Sequence, residues 1–441
     1  MIALLFAFIT SAQAYDVRLC GQWTPSYQEG SVPDDDMRDH NDDGIVDNDR
    51  PDYMNSNDPQ PLRGLWLVAE AQMPTGAWVV EWSGYAPATG VYAGCTDEFT
   101  PGDYNVLGHA KVRLTVTSVV GVGPHVLTVK DSLNNEEVQA ATHTFPTITA
   151  SGRYDYSYGG ASARMSAGIA LAWALEREDG NVSAMTLDVY TCSNPGGANQ
   201  TTCPASGGGV YYHSVKRMFI GGNAELTLML HELGHAIRAH AGVEVVPTDF
   251  TWDQSSASMC PSPAGVVSNH FQTSDEATGG SINEGFADYY AAVILNKTSE
   301  ADAFLYGPYD WDHDGQDEVS NYFSIERKPT PWTNNVGNRD YWADQCDQPI
   351  ENLSSEYDWS RAFWDLDTDE GLTFQIILDL FVAAVDEPAV EWKKKVGPCS
   401  GNCPWQHMWA VAQLANDSAY GLPAGYIQDA WNNQMDNGIG R

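Results

Sequence analysis

The chain has 441 residues, 43% hydrophobic and 11% aromatic, which allows two or three domains with substantial cores and excludes a disordered protein. Its 59 acidic and 22 basic residues give a formal charge of −37, which repels phosphate and argues against a nucleic-acid partner. Such acidity serves either solubility or divalent-cation binding, and the arrangement of the acids decides between them.

Residues 1–14 read as a secretory signal peptide. Ile2 to Ile9 form a short apolar run, and Ala12 and Ala14 make an A-x-A cleavage site before Tyr15. The run is too short to span a bilayer, so a secreted, extracellular product without stable membrane insertion is expected. Export makes the eight cysteines candidates for disulfides. The expected pairs are Cys192 with Cys203 and Cys399 with Cys403 across short loops, then Cys20 with Cys95 and Cys260 with Cys346.

The first acidic cluster, "DHNDDGIVD", sets Asp39, Asn41, Asp43 and Asp47 around Gly44. Alternate oxygens converge on one ion, and the glycine permits a sharp turn, so a calcium loop is expected. Next come "RGLWLVAEA", "GAWVVEWSGY", "AKVRLTVTSVV" and "HVLTVKD", which alternate or run apolar with turn residues between them. They predict a β-sandwich-like accessory domain over residues 15–150, with a boundary at "THTFPTITASG".

Beyond that boundary "SARMSAGIALAWALERE" has helical spacing, "AMTLDVYT" and "YYHSVKRMFIGG" read as strands, and "NAELTLMLHELGHAIRAH" reads as a helix with Asn223 as N-cap. After residue 280 helical patterns dominate, including "INEGFADYYAAVIL", "WSRAFWDL" and "WQHMWAVAQLAND". Strands before the key helix and helices after it suggest an α+β catalytic domain of two lobes over residues 151–441.

Within "HELGHAIRAH", His231 and His235 lie four apart on one helix face, where both imidazoles can serve one metal ion. Glu232 is turned about 100° away and can act on a water without ligating the metal. Leu226, Met229, Leu230, Leu233 and Ile237 form an apolar stripe that would bury the helix. His240 stands nine residues after His231, where the metzincin pattern needs a histidine at ten and a glycine at seven. Those places hold Ala241 and Arg238, so His240 is expected to cap or decorate the helix end. Downstream, "SINEGFADYYAA" places Glu284 and Asp288 four apart on one helix face.

With these two motifs the chain resembles the thermolysin-like gluzincins over roughly residues 160 to 370. The resemblance implies a two-lobed zincin fold, a mixed sheet plus active-site helix followed by a mainly helical lobe. It also implies zinc ligation by His231, His235 and Glu284, with Glu232 as general base and acid. Asp288 would accept a hydrogen bond from His231, and Asn283 would do the same beside His235. Val215 to Ile220 would form the sheet edge that pairs with extended substrate. The family's oxyanion histidine is missing from "ENLSSEYDWSRAFWDL", where Tyr357 or Arg361 is left as donor. Residues 15–150 do not resemble the family's propeptide.

A second acidic loop, "DWDHDGQDE", sets Asp310, Asp312, Asp314, Asp317 and Glu318 around Gly315 and also predicts calcium. The expected function is therefore a secreted zinc-dependent endopeptidase acting on protein or peptide substrates, with zinc catalytic and calcium structural. The rival expectation is a calcium-dependent extracellular binding or adhesion protein with a non-catalytic zinc site.

Overall fold

Alternating apolar and polar residues become strands, and runs of helical spacing become buried helices, in the computed structural model of the chain. It describes residues 15–24, 59–101, 110–131, 138–159, 162–178, 183–192, 208–221, 226–242, 279–295, 356–368 and 371–379, with four short strands between residues 251 and 324. In chain order these are β1 (Val17–Thr24), β2 (Gln60–Pro61), β3 (Leu65–Gln72), β4 (Trp78–Tyr85), β5 (Ala110–Val122), β6 (His125–Asp131), β7 (Ala140–Ile148) and β8 (Gly152–Gly159). Helix α1 (Ala163–Arg177), β9 (Thr186–Cys192), β10 (Gly209–Tyr212), β11 (Arg217–Gly221) and α2 (Leu226–His240) follow. Then come the pairs β12 (Thr251–Trp252) with β13 (Val266–Val267) and β14 (Phe304–Tyr306) with β15 (Tyr322–Ser324). Helix α3 (Gly279–Leu295) lies between these pairs in the chain, and α4 (Glu356–Thr368) follows them.

Eight strands form one mixed sheet, seven of them in the order β10-β11-β9-β6-β5-β3-β4 and the eighth, β7, paired with β5. The long β5 shares one edge between two partners, with β7 along residues 110–117 and β6 along 119–122. Strands β6, β9 and β11 run parallel. A separate three-stranded sheet joins β2, β1 and β8, and the Cys20–Cys95 disulfide ties β1 to the chain before β5. Cys192 is also disulfide-bonded. The other cysteines of the expected pairs lie outside the described residues.

Both sheets cross the boundary expected at residue 150. Strand β6 pairs with β9, and β1 pairs with β8 along its whole length. The physical reason is burial. Leu65, Leu67 and Ala69 of β3, Val112, Leu114 and Val116 of β5, and Leu127 and Val129 of β6 are fully buried in one cluster with α1. The strand-rich segment therefore finds its cover in a helix from the following segment rather than in a second sheet of its own.

Helix α1 is buried from Met165 to Leu175, as suits a helix apolar on every side. Ser162 caps it by accepting from the Met165 amide. Its close seat uses Gly168, where a Cβ would stand 3.2 Å from Leu65 Cδ2. Helix α2 is likewise buried over most of its length. Helix α3 packs against α2, and α4 packs against α3 through Phe286 and Phe363, whose ring centroids are 5.6 Å apart. The Tyr289 hydroxyl donates to Asp367 at 2.7 Å, fixing α3 to α4. Among the described residues no helix is long and apolar enough to cross a membrane.

Candidate metal centre

Helices α2 and α3 cross where a glycine lets them touch. A Cβ at Gly234 would meet Ala287 Cα and Tyr290 Cβ at 3.0 Å. That approach brings His231 and His235, one turn apart on α2, against Glu284 of α3. His231 Nε2 lies 2.9 Å and His235 Nε2 3.0 Å from Glu284 Oε2, and the two ring nitrogens are 3.2 Å apart. Three lone-pair donors thus form a near-equilateral triangle, the one described group able to hold a metal ion.

The triangle fits a small divalent ion. Four ligands at about 2.1 Å in a tetrahedron stand roughly 3.4 Å from one another, close to the sides found here. Charge agrees as well. With both histidines neutral, as metal ligands must be, Glu232, Glu284 and Asp288 are formally anionic and Arg238 is cationic, so the set carries −3 + 1 = −2, which a divalent cation neutralises. Glu232, Asp288 and His235 are each 6% exposed, so that charge has little water to screen it.

Asp288 Oδ1 lies 2.7 Å from His231 Nδ1. It fixes a proton on that nitrogen, so that Nε2 is the atom that would face a metal once its own proton is given up. Burial opposes charge on His231, but Asp288 and then Glu284 outweigh it and hold its pKa well above the ordinary value. His235 moves the other way. Burial lowers its pKa, with His231 and Arg238 adding to the effect and Glu284 opposing it.

Asn283 is placed differently from the expectation. Its Oδ1 accepts from Arg238 Nη1, and His235 Nδ1 is buried without a hydrogen-bond partner among the described residues. Arg238 is wholly buried three residues beyond His235. Burial pulls its pKa down to about 10, so it stays a cation at neutral pH. Its Nη2 donates to His213 Nε2 at 3.3 Å. The His213 ring lies 6.1 Å from that of His235, and its pKa is lowered to about 4, by burial first and then by Arg238 and His235. His213 is therefore neutral at pH 7, its proton on Nδ1. Neither His213 nor Arg238 was singled out in the sequence as part of the site. The i+3 spacing from His235 points to Arg238, whereas His213 arrives through tertiary pairing and leaves no local signal.

The outer strand also differs. Strand β11 lies inside the sheet between β9 and β10, so the outermost described strand on this side is β10 rather than Val215 to Ile220. His213 to Lys216 turn the chain between them, with Lys216 at φ 51°. Strand β10 runs past the general-base candidate: a Cβ at Gly209 would stand 2.7 Å from Glu232 Cγ.

His240 lies apart from the triangle in its bonding. Its Nδ1 is 2.8 Å from Ala236 O and its Nε2 is 3.2 Å from Thr186 O, so it links the end of α2 to β9. Tyr357 falls in the first turn of α4, where the backbone alone is described, and Arg361 is half-buried on the same helix. The calcium candidates Asp39, Asn41, Asp43, Asp47, Asp310, Asp312, Asp314, Asp317 and Glu318 lie outside the described residues, as do Asn223 and residues 1–14, where a signal peptide is expected. No family model, curated protein or solved structure matches the chain.

Proposed function

We propose that this protein is a secreted zinc-dependent endopeptidase of gluzincin type, with His231, His235 and Glu284 as zinc ligands. The observation that carries the reading is the triangle of His231 Nε2 and His235 Nε2 on α2 with Glu284 Oε2 on α3, with sides of 2.9 to 3.2 Å, beside the buried Glu232 of α2. A site with three protein ligands leaves a fourth position open, as catalytic rather than structural zinc requires.

When bound, zinc supplies Lewis acidity that brings the pKa of water towards 7 and polarises a carbonyl oxygen. The chain's own groups do the rest. Glu232 takes the proton of the attacking water and later delivers it to the leaving amine. Asp288 holds the His231 ring in the tautomer that presents Nε2. Tyr357 is the proposed donor to the oxygen on which negative charge develops. Secretion and calcium binding by the two acidic loops belong to the same proposal.

The test pairs zinc analysis with hydrolysis of a denatured protein such as casein, for wild type and Glu232→Gln. Both proteins should carry about one zinc per chain, and the variant should lose at least a hundredfold in activity. Equal activity in the two would overturn the role of Glu232, and absence of zinc from both would overturn the site.

A further inference from the structure

Arg238 is 0% exposed, although moving a guanidinium out of water is unfavourable and an apolar side chain of similar volume is often neutral or stabilising in its place. The other residues of α2 from Leu233 to Ala239 are aliphatic or small apart from His235, so packing alone does not call for a cation. Both terminal nitrogens of Arg238 are engaged, and with different elements. Nη1 donates to Asn283 Oδ1 on α3, in the residue directly before Glu284. Nη2 donates to His213 Nε2, in the turn that joins β10 to β11. That hairpin sets Gly209 against Glu232. One planar fork therefore spans the metal helix, the glutamate helix and the outer hairpin.

We propose that Arg238 is a positioning residue that locks the Glu284 segment of α3 and the β10–β11 hairpin onto α2. The first half rests on the zinc reading of the triangle; the second stands on the described contacts alone. Charge and geometry make opposite demands here. A fixed cation beside a dication site repels the metal, so a residue acting through charge alone would weaken zinc binding. A residue acting through its fork strengthens binding by holding the ligand in place. The direction of the effect separates the two.

The experiment uses the full chain with Arg238→Met, which keeps length without charge, and Arg238→Lys, which keeps charge without the fork. Zinc affinity is read by competition with a chromogenic chelator. Amide hydrogen exchange of residues 209–212 and 217–221 is read on the metal-free protein, with α1 amides as the internal reference. Both variants should bind zinc at least tenfold more weakly, and exchange in the hairpin should quicken at least tenfold while α1 is unchanged. Wild-type zinc affinity in Arg238→Lys, tighter binding in Arg238→Met, or unchanged hairpin exchange in both would overturn the proposal. If Arg238→Met does not fold, Arg238→Lys decides. If the wild type takes up no zinc, the zinc reading falls, and hairpin exchange alone decides whether Arg238 is a brace.

Discussion

Glu284 and His240 are the two residues whose replacement most sharply separates ligand from bystander. Glu284 Oε2 stands at the apex of the triangle, within 3.0 Å of both imidazole nitrogens. His240 instead bridges two backbone carbonyls at the far end of α2. After loading with zinc, Glu284→Ala should fail to retain the metal, whereas His240→Ala should retain it as the wild type is proposed to do, as read by metal content after dialysis. Zinc retained in the first variant, or lost in the second, would contradict the assignment. At this scale the sequence was informative because helix geometry is local: His231 with His235, and Glu284 with Asp288, declare a shared face by spacing alone. Asn283 was misplaced for the converse reason. Whether its carbonyl meets His235 or Arg238 depends on how two helices cross, and no spacing within either helix encodes that.

The crossing of α2 and α3 itself depends on Gly234, the glycine inside "HELGH". A mid-helix glycine is about 1 kcal/mol less favourable than alanine, so its presence signals a packing demand. Here that demand is the backbone of Ala287, which a Cβ would press at 3.0 to 3.2 Å. Backbone cannot rotate away, so Gly234→Val should push the helices apart and separate the histidines from Glu284. We expect a destabilisation of about 1–3 kcal/mol in chemical unfolding together with loss of zinc. Stability and zinc affinity equal to wild type would contradict the close crossing. Strands such as β3 and β6 were legible because alternate residues are buried along them. The β10–β11 hairpin was not, because its turn "HSVK" carries no Asn-Gly or Asp-Gly signal and the left-handed residue is a lysine.

At the scale of the whole molecule, the break in texture near residue 150 marks a change of element type and not an end to strand pairing. Composition reports what a segment is made of, but the partners of a sheet edge are set by which apolar face needs cover. Strand β8 depends on β1, and β9 on β6, so residues 151–441 on their own lack strands that their sheets require. That fragment should fail to show cooperative unfolding or bind zinc, and a folded, zinc-binding fragment would contradict the continuity of the sheets. The central claim is that two helices of one chain converge on a single divalent-metal site. X-ray absorption at the zinc edge of the zinc-loaded full chain tests it most directly. Two imidazole nitrogens and a carboxylate oxygen at about 2.0–2.2 Å, with no sulfur, are predicted; a sulfur ligand, a single imidazole, or no retained zinc would contradict it.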